Sequence, residues 1–345
     1  MSKEPNNMMK MMALFPVLRF INAFTFVKIG KLQSAKCKKI LIAPLDWGLG
    51  HTTRCVPIIR YLLSQEQRPV FAGNEWQRNF INKTFSNIET IHLDGYNVRY
   101  GKTNSGFLYS LLLQVPRIYK TIRAEHKWLI EKAEEEKFDG IISDNRYGLF
   151  HPDIPSIVMT HQLEIQSGMG SMADKSLQKV HYRYLQRFNE CWVPDAAGSP
   201  NLSGKLGHPN TTPSNTYYIG LLSQLDVMAG SERDNSLLIL LSGPEPQRSM
   251  LSSLLWEQLY HYTGTVHFVE GSNEAVPPKD IPEHVRYHKQ LNRTELLPLL
   301  SKAGMVICRS GYSTLMDLLR LKQKAILIPT PGQTEQEYLG RYLHE

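Results

Sequence analysis

A chain of 345 residues with 42% hydrophobic content is long enough to bury the cores of two ordinary domains, which excludes a disordered or fibrous protein. Its four cysteines, Cys37, Cys55, Cys191 and Cys308, form no close pair, which argues against a zinc knuckle or a disulfide framework and for a reducing cytosol. The formal charge of +7 lies within the first 39 residues, where Lys3, Lys10, Arg19, Lys28, Lys31, Lys36, Lys38 and Lys39 face only Glu4; the neutral remainder speaks against a nucleic-acid partner, whose groove needs cations on the folded surface.

Residues 1–38 read as a basic, partly apolar leader. Its apolar part, Ala13 to Val27, is broken by Pro16 and Arg19 and is shorter than the ~20 residues of a spanning helix, so it does not cross a bilayer. Such a leader fits a contact with anionic lipid. A start codon set too early gives the same composition, and both readings stand.

From Ile40 onward, short β-branched runs alternate with longer segments of helical period, the pattern of βα units that build parallel sheets. Strands are predicted at Ile40 to Pro44, Pro69 to Ala72, Ile88 to Leu93, Gly140 to Ser143, Ser156 to Thr160, Cys191 to Val193 and Tyr217 to Ile219. After the first of these, Cys55, Ile58, Ile59, Leu62 and Leu63 form one apolar helical stripe. A polar stretch without period, 227–235, predicts a linker between a domain at 39–226 and another at 236–345. The second domain repeats the alternation, with strands at Leu237 to Leu241, Thr265 to Val269, Val285 to His288, Met305 to Cys308 and Ala325 to Ile328, and a helix at Ser313 to Leu321. The fold class is therefore α/β, with two tandem Rossmann-like parallel-sheet domains.

In open α/β sheets, ligands bind beyond the carboxyl ends of the strands. The first such loop, Asp46 to Arg54, contains Gly48 and Gly50, which permit a tight turn, then His51 at the start of a helix and Arg54 one turn on. An imidazole there suits a general base for an acceptor hydroxyl, and it equally suits a helix cap. Asp144 ends one strand and His161 follows another. Either could assist proton removal, and an aspartate in a strand-end turn is also ordinary turn chemistry.

In the second domain, Gly243 and Arg248 lie in a loop-to-helix turn suited to a diphosphate. Arg309, Ser310 and Gly311 open another helix, with Asp317 further along it placed to accept from ribose hydroxyls. Pro329 to Gln336 adds Glu335 and Gln336, side chains of the kind that read sugar hydroxyls. Taken singly, each of these loops is also an ordinary turn or a solvated first helical turn.

Gly48-Leu49-Gly50-His51, Cys308-Arg309-Ser310-Gly311 with Asp317, and Pro329 through Tyr338 together resemble the GT-B glycosyltransferases of family 28. The resemblance runs from Lys39 to the C-terminus and implies two domains facing across a cleft, the first for the acceptor and the second for a nucleotide sugar. It implies that Ser310 and Gly311 hold the donor diphosphate, with Gly243, Arg248 and Arg309 beside it, that Asp317 holds the ribose, and that Glu335 and Gln336 hold the sugar. His51 and Asp144 would be catalytic, with Gly48, Gly50, Arg54 and His161 on the acceptor side. No metal and no cofactor beyond the nucleotide-sugar substrate is implied. The donor would be a UDP sugar carrying a hexose or N-acetylhexosamine, and the acceptor a lipid or envelope glycan at the inner face of a membrane, contacted peripherally from the cytoplasm.

The sequence departs from the family in three ways. Aspartate stands at 317 where glutamate is usual, the loop at Ser242 is rich in proline, and the chain stops near the helix after Gln336, where further helices are expected. An epimerase of the same fold and a non-catalytic donor-binding subunit are the competing expectations. A dinucleotide dehydrogenase is disfavoured, because no third glycine follows Gly48 and Gly50 at the required spacing. So is an esterase, because no G-x-S-x-G elbow stands at Gly311.

Overall fold

The computed structural model describes residues 13–15, 38–96, 104–166, 170–225, 232–272 and 274–344. The chain divides into two compact units, one within 38–224 and one from 225 onward that also takes in residues 13–15. The sequence-based boundary at 227–235 falls close to this division, though 226–231 lie outside the described residues.

The first unit is built on strands β2 (Lys39–Pro44), β3 (Arg68–Gly73), β4 (Glu89–His92), β5 (Gly140–Asp144), β6 (Ser156–Met159), β7 (Glu190–Val193) and β8 (Thr216–Tyr218). They pair in the order β4-β3-β2-β5-β6-β7-β8, every neighbour parallel. The central strands read as continuous apolar runs because helices cover both faces of such a sheet. Ile40, Leu41, Ile42, Ile141 and Ile142 are accordingly buried.

Its helices are α1 (Leu49–Ser64), α2 (Glu75–Thr84), α3 (Asn104–Glu136) and α4 (Ser171–Leu185). The stripe expected on α1 is buried at Cys55, Ile58, Ile59 and Leu62, whereas Leu63 at its edge is exposed. Helix α2 begins with a capping box in which Asn74 and Gln77 satisfy each other's backbone amides. Gln77 is fully buried and also donates to the Leu45 carbonyl and the Thr52 hydroxyl, both at 3.1 Å, bracing the first loop.

The second unit contains β9 (Leu237–Leu240), β10 (Val266–Val269), β11 (Val285–His288), β12 (Met305–Cys308) and β13 (Ala325–Leu327), with α5 (Gln247–Leu259), α6 (Arg293–Lys302), α7 (Tyr312–Arg320) and α8 (Thr334–Tyr342). The order β13-β12-β9-β10-β11 is parallel throughout. Strand β1 (Ala13–Phe15) adds antiparallel to β13. Residues 13–15 of the leader thus form an edge strand of the second sheet, and 1–12 and 16–37 lie outside the described residues. The core packs Trp256 against Phe268 at 4.5 Å between ring centres, with Leu251, Leu259 and Val285 around them. Cys55, Cys191 and Cys308 are buried free thiols. Burial pushes the last two up to about 12, which makes them inert core residues.

Candidate active site

Three adjacent strands of the first sheet deliver the site. Pro44 at the end of β2 is in register with Asp144 at the end of β5, and Asp144 with Met159 at the end of β6. The loops that follow therefore start side by side. After β2 the chain turns through Gly48, whose φ of +82° favours glycine, and enters α1. Gly48 is the N-cap residue, and the first turn contains no acidic side chain. Asp46 is held outside the helix by the Tyr96 amide at 2.9 Å.

His51 lies in the first turn of α1, and its side chain is not the cap. Its Nδ1 stands 3.0 Å from Oδ2 of Asp144. Arg54, one turn further along the same helix face, donates from Nε to Asp144 Oδ2 at 2.5 Å and from Nη2 to Oδ1 of the same carboxylate. Its Nη2 is also 2.6 Å from His51 Nδ1, and its Nη1 is 3.1 Å from Nδ1 of His161. The structure thus brings together all four of His51, Arg54, Asp144 and His161.

Burial alone would raise the Asp144 carboxyl, but the Arg54 guanidinium and the His51 ring outweigh it and hold the group at about 2. It is an anion at neutral pH. Burial, then the Arg54 charge, lowers the His51 imidazole below its ordinary value despite the neighbouring carboxylate, so at neutral pH His51 is uncharged and able to accept a proton. Asn145, next to Asp144, has a φ of +58°, and its buried Oδ1 has no partner among the described residues. Strained, unsatisfied groups of this kind cluster at functional sites.

A second buried pair stiffens the same edge. Arg146 and Glu125, 0% and 2% exposed, are joined at 2.5 Å from Nε to Oε1. Arg146 also donates to the carbonyls of Pro44 and Asp94, tying together the ends of β2, β4 and β5. Tyr96 donates to Glu125 at 2.7 Å. Sequence reasoning missed this pair, because nothing local marks a surface-type residue as buried.

In the second unit, the predicted donor residues gather at the carboxyl ends of β9, β12 and β13. Gly311 is the N-cap of α7, and no side chain caps that helix. The Ser310 hydroxyl donates to the Gln336 carbonyl at 2.7 Å. Gln336 closes its own loop, accepting from the Thr330 amide at 2.9 Å and donating to Gln333 Oε1 at 2.5 Å. Asp317 lies within α7 and Glu335 in the first turn of α8, both half-buried.

The two arginines are more buried than the sequence suggested. Arg309 is 4% exposed and donates to the carbonyls of Ile328, Pro329 and Gln247 at 3.3, 3.0 and 2.7 Å; burial lowers it to about 10. Arg248 is 8% exposed, donating to Glu245 and to the Glu270 carbonyl. Both guanidinium groups tie loops together. Thr330 escaped the sequence reading altogether: it is 2% exposed, its Oγ1 has no partner among the described residues, and it stands 4.0 Å from where a Cβ would sit on Gly243. Gly243 itself has a φ of +103°.

Residues 227–345 match the model of the glycosyltransferase family 28 C-terminal domain. All the donor-side residues described above lie within it. Over 97 residues the chain is 36% identical to the UDP-N-acetylglucosamine--N-acetylmuramyl-(pentapeptide) pyrophosphoryl-undecaprenol N-acetylglucosamine transferase of Desulforudis audaxviator, a match that covers 26% of this chain and 24% of that protein. It is 23% identical over 336 residues to an uncharacterized glycosyltransferase of Methanosarcina mazei, covering 89% of this chain and 83% of the relative. The chain therefore matches about a quarter of the first relative's length and most of the second's. The solved glycotransferase of kitacinnamycin superposes with a TM-score of 0.61 at 13% identity, over 90% of this chain and 84% of that one. The family 28 domain and its partner unit thus share the GT-B fold.

Proposed function

We propose that the chain is a metal-independent GT-B glycosyltransferase, moving a hexose or N-acetylhexosamine from a UDP sugar to a hydroxyl of a lipid or envelope-glycan acceptor. The observation that carries the proposal is the contact between His51 Nδ1 and Asp144 Oδ2, 3.0 Å at the carboxyl end of the first sheet. With Nδ1–H donating to the carboxylate, Nε2 is the basic nitrogen. It takes the proton of the acceptor hydroxyl as the oxygen attacks the anomeric carbon. The bond from that carbon to the diphosphate breaks, and its electron pair leaves on the nucleotide. The N-terminus of α7 and the Gly243 turn stabilise the departing charge, as a helix N-terminus does for phosphate.

Asp144 cannot serve as a nucleophile in place of the acceptor. It is 1% exposed, and both its oxygens accept hydrogen bonds from Arg54. A single displacement follows, which inverts the anomeric centre. The UDP assignment draws on the family 28 domain and on the UDP-N-acetylglucosamine for which the Desulforudis relative is named. The lipid or glycan acceptor draws on that relative and on the outer face of α4, where Lys175, Lys179 and Arg183 are exposed beside Met172 and Val180. A basic face with apolar flanks suits an anionic membrane surface reached from the cytoplasm.

The test is transfer from UDP sugars to a short-chain lipid-diphosphate acceptor, with the anomeric configuration of the product read by NMR. We expect inversion, loss of transfer in His51→Ala by about 10²–10⁴-fold, and unchanged UDP binding in that variant. Retention of configuration, or equal loss of UDP binding, would remove His51 from the role of base. Sugar release or epimerisation without an acceptor would overturn transfer itself.

A further inference from the structure

We infer that Arg54 is a positioning residue of the acceptor side: its guanidinium fixes His161 in the Nε2–H tautomer and competes with Asp144 for Nδ1 of His51, so that the basic form of His51 depends on how Arg54 divides its donors. The inference rests on the reading of His51 as the base, and adds a residue that touches neither substrate nor leaving group.

The geometry is that of one buried cation with three partners. Arg54 is 2% exposed, and its Nε, Nη1 and Nη2 are all committed, to Asp144, to His161 and to both Asp144 and His51. A guanidinium has donors and no acceptor. Any ring nitrogen it meets within hydrogen-bond distance must therefore present a lone pair. At His161 that nitrogen is Nδ1, at 3.1 Å, so the ring proton sits on Nε2.

At His51 the same nitrogen has two suitors. Asp144 Oδ2 at 3.0 Å accepts a proton from Nδ1, while Arg54 Nη2 at 2.6 Å donates one to it. The first arrangement leaves Nε2 as the base; the second puts the proton on Nε2 and abolishes basicity there. Nη2 has a second partner in Asp144 Oδ1. It can keep that bond while releasing Nδ1, so the site passes to the basic tautomer by a small rotation without losing the clamp on the carboxylate. Once Nε2 takes the acceptor proton, Nδ1–H must point at Asp144, and the imidazolium then lies beside Arg54 with one carboxylate between two cations.

The charged and titratable groups facing His51 are Arg54 and Cys55 on its own helix, Asp144 from the end of β5 and His161 from beyond β6. The Cys55 thiol is pushed up by burial and stays neutral. Asp144 is then the one anion of this group, and Arg54 cancels it. Burial first, and then this cancellation, explain a ring that sits against a carboxylate and still has its protonation disfavoured.

The experiment is a ¹⁵N-resolved NMR titration of the histidine rings in the full chain, comparing the unaltered protein with Arg54→Lys, Arg54→Met and the double variant Arg54→Met/Asp144→Asn. In Arg54→Met the protonation constant of His51 should rise by about tenfold or more, one pK unit, and the acid limb of kcat/KM should move to higher pH by the same amount. His161 should lose its fixed Nε2–H signature in both single variants. If Arg54→Met fails to fold around the orphaned carboxylate, the double variant removes both charges, and loss of the His161 signature remains the expected result. A folded variant with unchanged His51 protonation and unchanged His161 tautomer would overturn the inference. The titration needs no catalysis, so an active His51→Ala enzyme would sink the base assignment while leaving these ring signatures to decide the role of Arg54.

Discussion

At the residue scale, buried groups satisfied by a charged partner stand apart from buried groups left unsatisfied. Asp144 belongs to the first kind. Its folded-state value of about 2 lies below that of an unfolded carboxylate, so the unfolded chain binds the proton more readily. The stability contributed by this ionisation is complete above the unfolded value and is lost as pH falls from about 5 towards 2. His181 acts in the same direction, since burial pushes it down to about 4 and its protonation in acid favours the unfolded chain. Chemical denaturation at pH 7 and pH 3.5 should show the first domain weakened in acid, and Asp144→Asn should flatten that dependence; an equally steep curve in the variant would place the acid sensitivity elsewhere. Thr330 belongs to the second kind. Its buried, unpartnered hydroxyl costs stability in the empty protein, so Thr330→Val should leave thermal stability unchanged or higher. The same variant should weaken nucleotide-sugar binding by about fivefold to tenfold, the worth of one hydrogen bond, measured by calorimetry. Unchanged affinity would mean that this hydroxyl has no ligand to meet.

At the scale of elements, the second domain is held in working shape by loops tied to one another rather than by its helices alone. Arg309 joins the end of β13 to the start of α5 through three carbonyls. Arg309→Met should therefore lower the stability of this domain by about 3 kcal/mol or more, since each of the three orphaned carbonyls costs about 1–3. Nucleotide affinity should fall with it while His51-dependent chemistry on the bound donor is spared; a variant of normal stability would show the three bonds to be replaceable by water. The strands themselves were readable from the sequence because buried parallel strands are short β-branched runs, a local signal. Helix α3, 33 residues long with Pro116 inside it, was not singled out, because a proline and mixed polarity blur the helical period. The candidate loops were legible through glycine and proline. Their partnerships were not: His51 and Asp144 are 93 residues apart, and only the adjacency of β2 and β5 joins them. The i, i+3 spacing of His51 and Arg54 did carry a readable hint that both share one helix face.

At the scale of the whole molecule, positive charge concentrates in two regions. The first 39 residues carry a net +7 in sequence, and α4 presents three exposed cations, Lys175, Lys179 and Arg183, beside Met172, 83% exposed, and Val180, 49% exposed. No helix among the described residues is long and apolar enough to cross a membrane. Each cation at an anionic surface is worth about 1 kcal/mol, with a reach of about 8–10 Å at ordinary salt. Replacing Lys175, Lys179 and Arg183 with glutamine should then weaken binding to phosphatidylserine-containing vesicles by roughly 10²-fold, three such contributions. Neutral vesicles should bind neither form, and high salt should release the unaltered protein. The corresponding change of Lys28, Lys31 and Lys36 weighs the leader against α4 in the same sedimentation assay. If the α4 variant binds as tightly as the unaltered chain and the leader variant does not, the acceptor-side helix faces solvent and attachment belongs to the leader alone; if neither change matters, a soluble acceptor becomes the better reading of the transferase.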